Sequence, residues 1–371
     1  AAGCAAHATL RQEMHLSGLF SMVAGSLKAW TAALRTGRAF LTPLARGLVD
    51  PAQCADGGLA QPGLRCWFEA LVPACEEGAQ RPRPPPPQLV FNLPQLHRES
   101  LATAAAVPAP FAALGAFWWA SQYTARLMRP APRLGPLLDA ALAESGLGAA
   151  LAAGPVAGFH VRHGDSCIAS EAARTARRCE PLSRYVEAVA PYLEAHGVRT
   201  VFLATDSEEV LRDARAIGGA RGLSFLWLRN VSRTGLTTPR PTEVLDVRIK
   251  RRATDPRQVW RTHHDALLGV IDTMLLARCD VLVGKFSSGL FRAAYQLSAA
   301  AQGVLRPFVS LDAPWCADYG VVSGYNEDFP ERGPGEKGDE QVLPAEGVPA
   351  RGPNRGRSAP VRDFNKNMFQ C

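Results

Sequence analysis

The sequence predicts a two-domain α/β chain whose C-terminal part is a doubly wound, mostly parallel sheet. Three observations carry that expectation. The length, 371 residues, suits two domains better than one. Between residues 154 and 311, short apolar runs alternate with helical patterns, the sign of parallel strands joined by helical crossovers. Finally, 47% hydrophobic and 20% charged residues describe an ordinary globular protein with apolar material for two cores.

Residues 1–130 form a first region. It holds an apolar helical pattern from Leu19 to Leu34, a cysteine-bearing loop, and the run Arg81-Pro82-Arg83-Pro84-Pro85-Pro86-Pro87. Proline cannot continue a helix or a central strand, so that run is an extended surface loop. The apolar stretch 101–120 contains Pro108 and Pro110 and reads as buried protein helix rather than a membrane span. A helical stretch over 131–153 links this region to the next. In 154–320, strands are expected at 156–161, 200–204, 224–228, 281–283 and 308–310. Helices are expected at 134–153, 182–196, 207–217, 259–278 and 289–301. Asp206, followed by Glu209, has the spacing of a capping box. Residues 329–362, rich in Gly, Pro, Glu and Arg, read as a disordered tail. No internal repeat is visible.

The formal net charge of +7 suits an anionic partner such as a nucleotide diphosphate, and a basic amino-acid bias explains it equally well. No basic stripe interleaved with aromatic residues points to nucleic acid. Nine cysteines include no CxxC pair, which argues against a zinc ribbon or a thioredoxin-like site. Cys54, Cys66 and Cys75 form one grouping, and Cys167 with Cys179 another. Both resemble small disulfide loops of a secretory lumen, with cytosolic thiols the other reading. The chain begins with Ala1 and shows no signal peptide, so it reads as a fragment or processed form; a membrane anchor would lie outside it.

In open α/β sheets ligands sit beyond the carboxyl ends of the strands, and chemistry-bearing residues gather there. The first strand ends in His160-Val161-Arg162-His163-Gly164-Asp165. A guanidinium offers paired donors and a permanent charge to a diphosphate, although an Arg162–Asp165 ion pair at a loop edge explains the same residues. The second ends in Ala204-Thr205-Asp206-Ser207, where Asp206 also suits a helix N-cap. The fourth ends in Gly284-Lys285-Phe286-Ser287-Ser288-Gly289 and opens into a helix, giving either a capped start or an anion site. Asp272 lies in the otherwise apolar Leu267–Leu276 stretch, and a carboxylate there needs a partner, whether structural or a ligand.

Together these pieces resemble the family 23 glycosyltransferases, the core α-1,6-fucosyltransferases and nodulation fucosyltransferases. The family blocks H-V/I-R-R-x-D, L-A-T-D and D-x-L-V-x-x-F-S-S with a following R-x-A-Y correspond to three stretches here. They are His160–Asp165, Leu203-Ala204-Thr205-Asp206, and Asp280–Ser288 continuing through Arg292-Ala293-Ala294-Tyr295. Fainter likenesses are Gly18-Leu19-Phe20-Ser21, Arg35-Thr36-Gly37-Arg38, Leu127-Met128-Arg129-Pro130 and Ser310-Leu311-Asp312. Coverage is about residues 15 to 320.

The resemblance implies a GT-B-like fold, two Rossmann-type lobes with a cleft. The first lobe would face the acceptor and the second would bind the donor. It also implies inverting, metal-independent transfer from GDP-fucose to a glycan or glycoprotein, in the secretory lumen and specifically the Golgi, with no cofactor and no metal ligands. By position, Arg162 would hold the diphosphate, His160 and Asp272 the guanine, and Ser288, beside Ser287, the β-phosphate. His163, Asp165 and Asp206 would complete the donor site, and Glu171 would activate the acceptor hydroxyl. Departures are His163 for the family's second arginine, Ser166 for a lysine and Gly289 for a glutamine; Glu171 aligns only with one inserted residue. Protein O-fucosyltransferases share a simpler H-x-R motif and are the alternative, as is a relative that binds a GDP-sugar with weak catalysis.

Overall fold

A computed structural model describes residues 9–13, 18–44, 48–54, 63–73, 88–91, 107–164, 167, 179–229, 252, 255–311, 315 and 341–343. The chain divides into two compact units. One comprises Ala1–Gly135 with Asp246–Leu267, the other Pro136–Leu245 with Leu268–Cys371.

In the first unit β1 (Thr9–Glu13) pairs in parallel with both β2 (Ala39–Leu44) and β3 (Gln88–Phe91). Helix α1 (Leu19–Arg35) buries Leu19, Met22, Val23, Ala29, Ala32 and Ala33, an amphipathic spacing that holds one face on the core. Helix α2 (Gly115–Leu127) meets it through a stack of Trp30 on Trp119, ring centroids 4.5 Å apart. The Tyr123 hydroxyl donates to Ser26 Oγ at 2.5 Å, which satisfies a buried phenol. A disulfide joins Cys54 to Cys66.

The second unit begins with α3 (Leu134–Glu144) and α4 (Leu147–Ala153). The single helix expected over 134–153 is two, because Gly146 turns left-handed at φ 77° and Ser145 Oγ accepts from Leu147 N–H. Its strands are β4 (Val156–Val161), β5 (Thr200–Thr205), β6 (Ser224–Leu226), β7 (Val281–Gly284), β8 (Phe308–Ser310) and β9 (Gln341–Leu343). They lie in the order β6-β5-β4-β7-β8-β9, the first five parallel and β9 antiparallel to β8. Gln341–Leu343 falls inside the 329–362 stretch whose composition reads as disordered.

Helices cover both faces. On one, α5 (Leu182–Ala195) and α6 (Glu208–Arg221) pack Tyr185, Val186, Val189, Val210 and Ala214 against Ala157, Phe159 and Val161. On the other run α7 (Pro256–Leu276), which spans the division between units, and α8 (Gly289–Gln302). A Cβ on Gly158 would lie 2.9 Å from Cys279 Cβ and 3.1 Å from Leu276 Cδ2, so only glycine lets the chain approach so closely. This α/β arrangement, with a parallel sheet in each unit and a doubly wound second one, agrees with the α/β class expected from the sequence.

The outward-leading β5 and β6 lie on one side of β4, while β7 and β8 lie on the other. The topological switch point therefore falls between the carboxyl ends of β4 and β7, where open sheets of this type take ligands. At the opposite end Asp280 accepts from Val156 N–H at 2.9 Å and pairs with Arg306, clamping the amino ends of the same two strands.

Candidate functional site

Three of the sequence blocks meet at this switch point. Strand register sets His160 beside Ala204 and Val161 beside Thr205, while Phe159 is level with Val283. Arg162 and His163, Asp206, and the Lys285–Ser288 turn therefore leave adjacent strand ends together. Arg162, His163, Ser287 and Ser288 are half-buried.

His160 is 5% exposed, and its ring lies nearly parallel to that of Phe291, with centroids 6.3 Å apart. Burial, reinforced by the Arg162 charge, pushes its pKa down to about 3. At neutral pH it is an uncharged imidazole with one donor and one acceptor nitrogen, suited to a heterocycle edge rather than to a phosphate.

Gly284 ends β7 under the Phe291 ring. A Cβ there would stand 2.4 Å from Phe291 Cδ2. The turn that follows is tied at each step. Leu311 N–H donates to Gly284 O (2.9 Å), Phe286 N–H to Ser310 Oγ (3.4 Å), Ser288 N–H to Lys285 O (3.0 Å), and Arg292 Nη1 to Phe286 O (2.8 Å). Ser288 occupies the N-cap of α8, yet its side chain makes no capping bond, and the first turn carries no acidic residue. The hydroxyl is thus not consumed as a cap, the alternative the sequence leaves open. Arg292 and Phe291 were absent from the expected site residues. The signals for them were the glycine seven residues before Phe291 and the position of Arg292 four residues after Ser288.

Asp206 does not cap α6. Ser207 is the N-cap and its side chain accepts from Val210 N–H at 3.5 Å. Asp206 instead accepts from the backbone N–H of His163 at 2.8 Å, tying the β4 loop to the end of β5. The expected capping box is one residue out, because the serine after the aspartate competes for the same role. Asp272 is 5% exposed in α7, and its Oδ1 accepts no hydrogen bond among the described residues, although the residue has other interactions. It precedes Leu276, which packs at Gly158, by one helical turn. That turn carries it about 5 Å toward the carboxyl ends of the strands. Asp165 and Glu171 lie outside the described residues. The Cys167–Cys179 disulfide, at the ends of that segment, has the expected pairing. Among the described residues the one grouping with metal-ligand spacing is Cys54, Cys66 and His263. Its cysteines are bonded to each other, and His263 Nδ1 accepts from Asp50 N–H.

The chain is 28% identical over 261 residues to an α-(1,6)-fucosyltransferase of Drosophila melanogaster, a match covering 66% of this chain and 34% of that protein. By sequence, the chain is similar to that fucosyltransferase over about two thirds of its own length. It spans about a third of the length of that curated fucosyltransferase. No family profile matches it. Among solved fucosyltransferases, NodZ α-1,6-fucosyltransferase co-crystallized with GDP is similar at 18% identity and a TM-score of 0.45, over 82% of this chain and 95% of that one. POFUT1 in complex with GDP is similar at 9% identity and a TM-score of 0.42, over 81% and 97%. The sequence match thus covers 66% of this chain, while the fold assignment rests on the strand order itself.

Proposed function

We propose that the chain transfers fucose from GDP-fucose to a glycan acceptor, by an inverting and metal-independent reaction, as an α-1,6-fucosyltransferase-like enzyme. The observation that carries this reading is the convergence of His160–Arg162, Asp206 and Ser287–Ser288 on one switch point, in a chain related by sequence to an α-(1,6)-fucosyltransferase. Arg162 grips the diphosphate with paired, charge-assisted bonds. The neutral His160 and the buried Asp272 read the guanine edge. Ser287, Ser288 and the start of α8 receive the β-phosphate. His163, Asp165 and Asp206 shape the phosphate loop.

In the transfer step the acceptor hydroxyl attacks the anomeric carbon from the face opposite the diphosphate. The bond from that carbon to the phosphate oxygen breaks, and GDP leaves with its electron pair. Glu171 takes the hydroxyl proton. Arg162 and the α8 terminus supply the positive field that a metal provides in other transferases. The two disulfides support residence in a secretory lumen, and the Golgi is the compartment we assign. No helix among the described residues is long and apolar enough to cross a membrane.

The test is transfer from GDP-fucose to N-glycan and peptide acceptors, read by mass spectrometry with and without EDTA. A fucosylated glycan, unaffected by EDTA, is expected. Glu171→Gln should cut turnover by about a hundredfold or more and leave GDP affinity intact. A product on peptide alone would favour the protein O-fucosyltransferase reading. Donor binding without transfer to any acceptor would favour the catalytically weak relative.

A further inference from the structure

Arg292 is buried, 6% exposed, in the first turn of α8. It reaches back to the turn before that helix twice: its backbone N–H donates to Ser288 O at 3.1 Å, and its Nη1 to Phe286 O at 2.8 Å. Helical side chains lean toward the amino end of their helix, which gives the guanidinium this reach. The neighbouring polar groups of the turn have other partners. Phe286 N–H donates to Ser310 Oγ, Leu311 N–H to Gly284 O, and Ser288 N–H to Lys285 O. Phe286 is fully buried, and a buried carbonyl needs a donor. Arg292 is the donor it has.

The Phe286 carbonyl and the Ser287 N–H belong to one planar trans peptide and point in opposite directions. With the oxygen turned to the buried guanidinium, the Ser287 N–H is aimed away from it. Ser287 is half-buried, and its N–H has no acceptor among the described residues. A charged donor on the oxygen side also polarises the peptide and strengthens the N–H on the other. Without Arg292 the orphaned carbonyl would have to rotate toward another donor, and the Ser287 N–H would turn with it.

We propose that Arg292 is a positioning residue for the donor diphosphate: by holding the Phe286 carbonyl it aims the Ser287 N–H at the β-phosphate, and so lets the site tell a nucleoside diphosphate from a monophosphate. This role rests on the reading that the turn and the start of α8 receive the β-phosphate. Arg292 acts through the peptide and does not touch the ligand, unlike Arg162. Its loss therefore weakens the grip on the second phosphate and leaves the rest of the nucleotide site as it was.

The experiment is isothermal titration of the whole chain with GDP and with GMP at about pH 8, where both terminal phosphates are ionised. Wild-type protein should bind GDP about tenfold or more tighter than GMP. Arg292→Met keeps the length of the side chain and has no donor. It should lose about tenfold in GDP affinity and leave GMP affinity unchanged. Arg292→Lys, with one charged donor, should recover part of that loss. A role confined to stability would leave the GDP-to-GMP ratio at its wild-type value. A second measurement needs no substitution at Arg292. With the carbonyl carbon of phenylalanine and the nitrogen of serine isotopically labelled, NMR selects the Ser21 and Ser287 amides, and Ser287→Ala identifies the latter. The Ser287 amide proton should move downfield with GDP and stay in place with GMP. An unchanged GDP-to-GMP ratio in Arg292→Met, or a Ser287 amide that GDP leaves unmoved, would overturn the proposal. If neither nucleotide binds wild-type protein, the donor-site reading itself fails.

Discussion

Arg162 leaves β4 two residues after a histidine that burial keeps uncharged, so the cation at this strand end is the arginine. That division of labour gives a direct expectation. Arg162→Ala should weaken GDP binding by about 2–4 kcal/mol, the worth of a bidentate charge-assisted contact. Arg162→Lys should recover part of it, since the charge survives and the fork geometry does not. Calorimetry that found unchanged affinity in the alanine variant would remove Arg162 from the site. Residues of this kind were legible in the sequence because they follow apolar runs whose strand character is plain. What was not legible is which bonds they make. Asp206 has the chemistry of a helix cap, and only the folded loop reveals that it holds the His163 amide while Ser207 caps the helix. Tautomer and partner are settled by three-dimensional neighbours such as the Glu180 carbonyl, 17 positions away in sequence.

The Gly284–Ser288 turn and α8 act as one element, built so that a strand ends under an aromatic ring and restarts as a helix. Phe291 covers Gly284 and faces His160, and Phe286 packs edge-on against Tyr295 and Phe308. Gly284→Ala puts a methyl group inside the Phe291 ring position. Overpacking of this kind typically costs about 1–3 kcal/mol, so thermal unfolding should shift downward by several degrees. Because the displaced ring also faces His160, GDP affinity should fall more than in a matched destabilising change such as Asp280→Asn at the far end of the strands. Equal affinity losses in the two variants would mean that the ring has no role in the site. The strands β4 and β8 and the start of α8 could be read to the residue from sequence, because parallel strands buried on both faces are uniformly apolar. The break at Gly146 was missed. Both flanking segments share one apolar period, and a lone glycine is tolerated within many helices.

On the scale of the whole chain, the two units each enclose a buried histidine whose pKa is depressed. Burial takes His160 to about 3 and His263 to about 4, the latter helped by the charges of Arg133 and His264 and opposed by Asp50. Both fold with values below the unfolded one of about 6.5. The unfolded chain therefore binds more protons as pH falls below that point. Stability present above about pH 6.5 is lost progressively toward pH 3–4. Melting temperature should drop between pH 7 and 5, and His160→Gln with His263→Gln should flatten the profile; an unchanged slope in the double variant would assign the loss to other groups.

Length and pattern lead to the expectation of two domains, with the second region far clearer in sequence than the first. Residues 246–267 join the first unit, a pairing that sequence order conceals. It depends on contacts such as Asp50 N–H to His263 Nδ1 and Trp67 against the His263 ring, which link positions about two hundred residues apart.

The central claim is that the β4–β7 switch point is a guanine-nucleotide site. Calorimetric titration of the chain with GDP and, separately, UDP tests it most directly. The account predicts saturable one-to-one binding of GDP without added metal and no measurable binding of UDP, since it proposes that His160 and Asp272 read the guanine edge. Equal binding of the two nucleotides, or binding of neither, would contradict it.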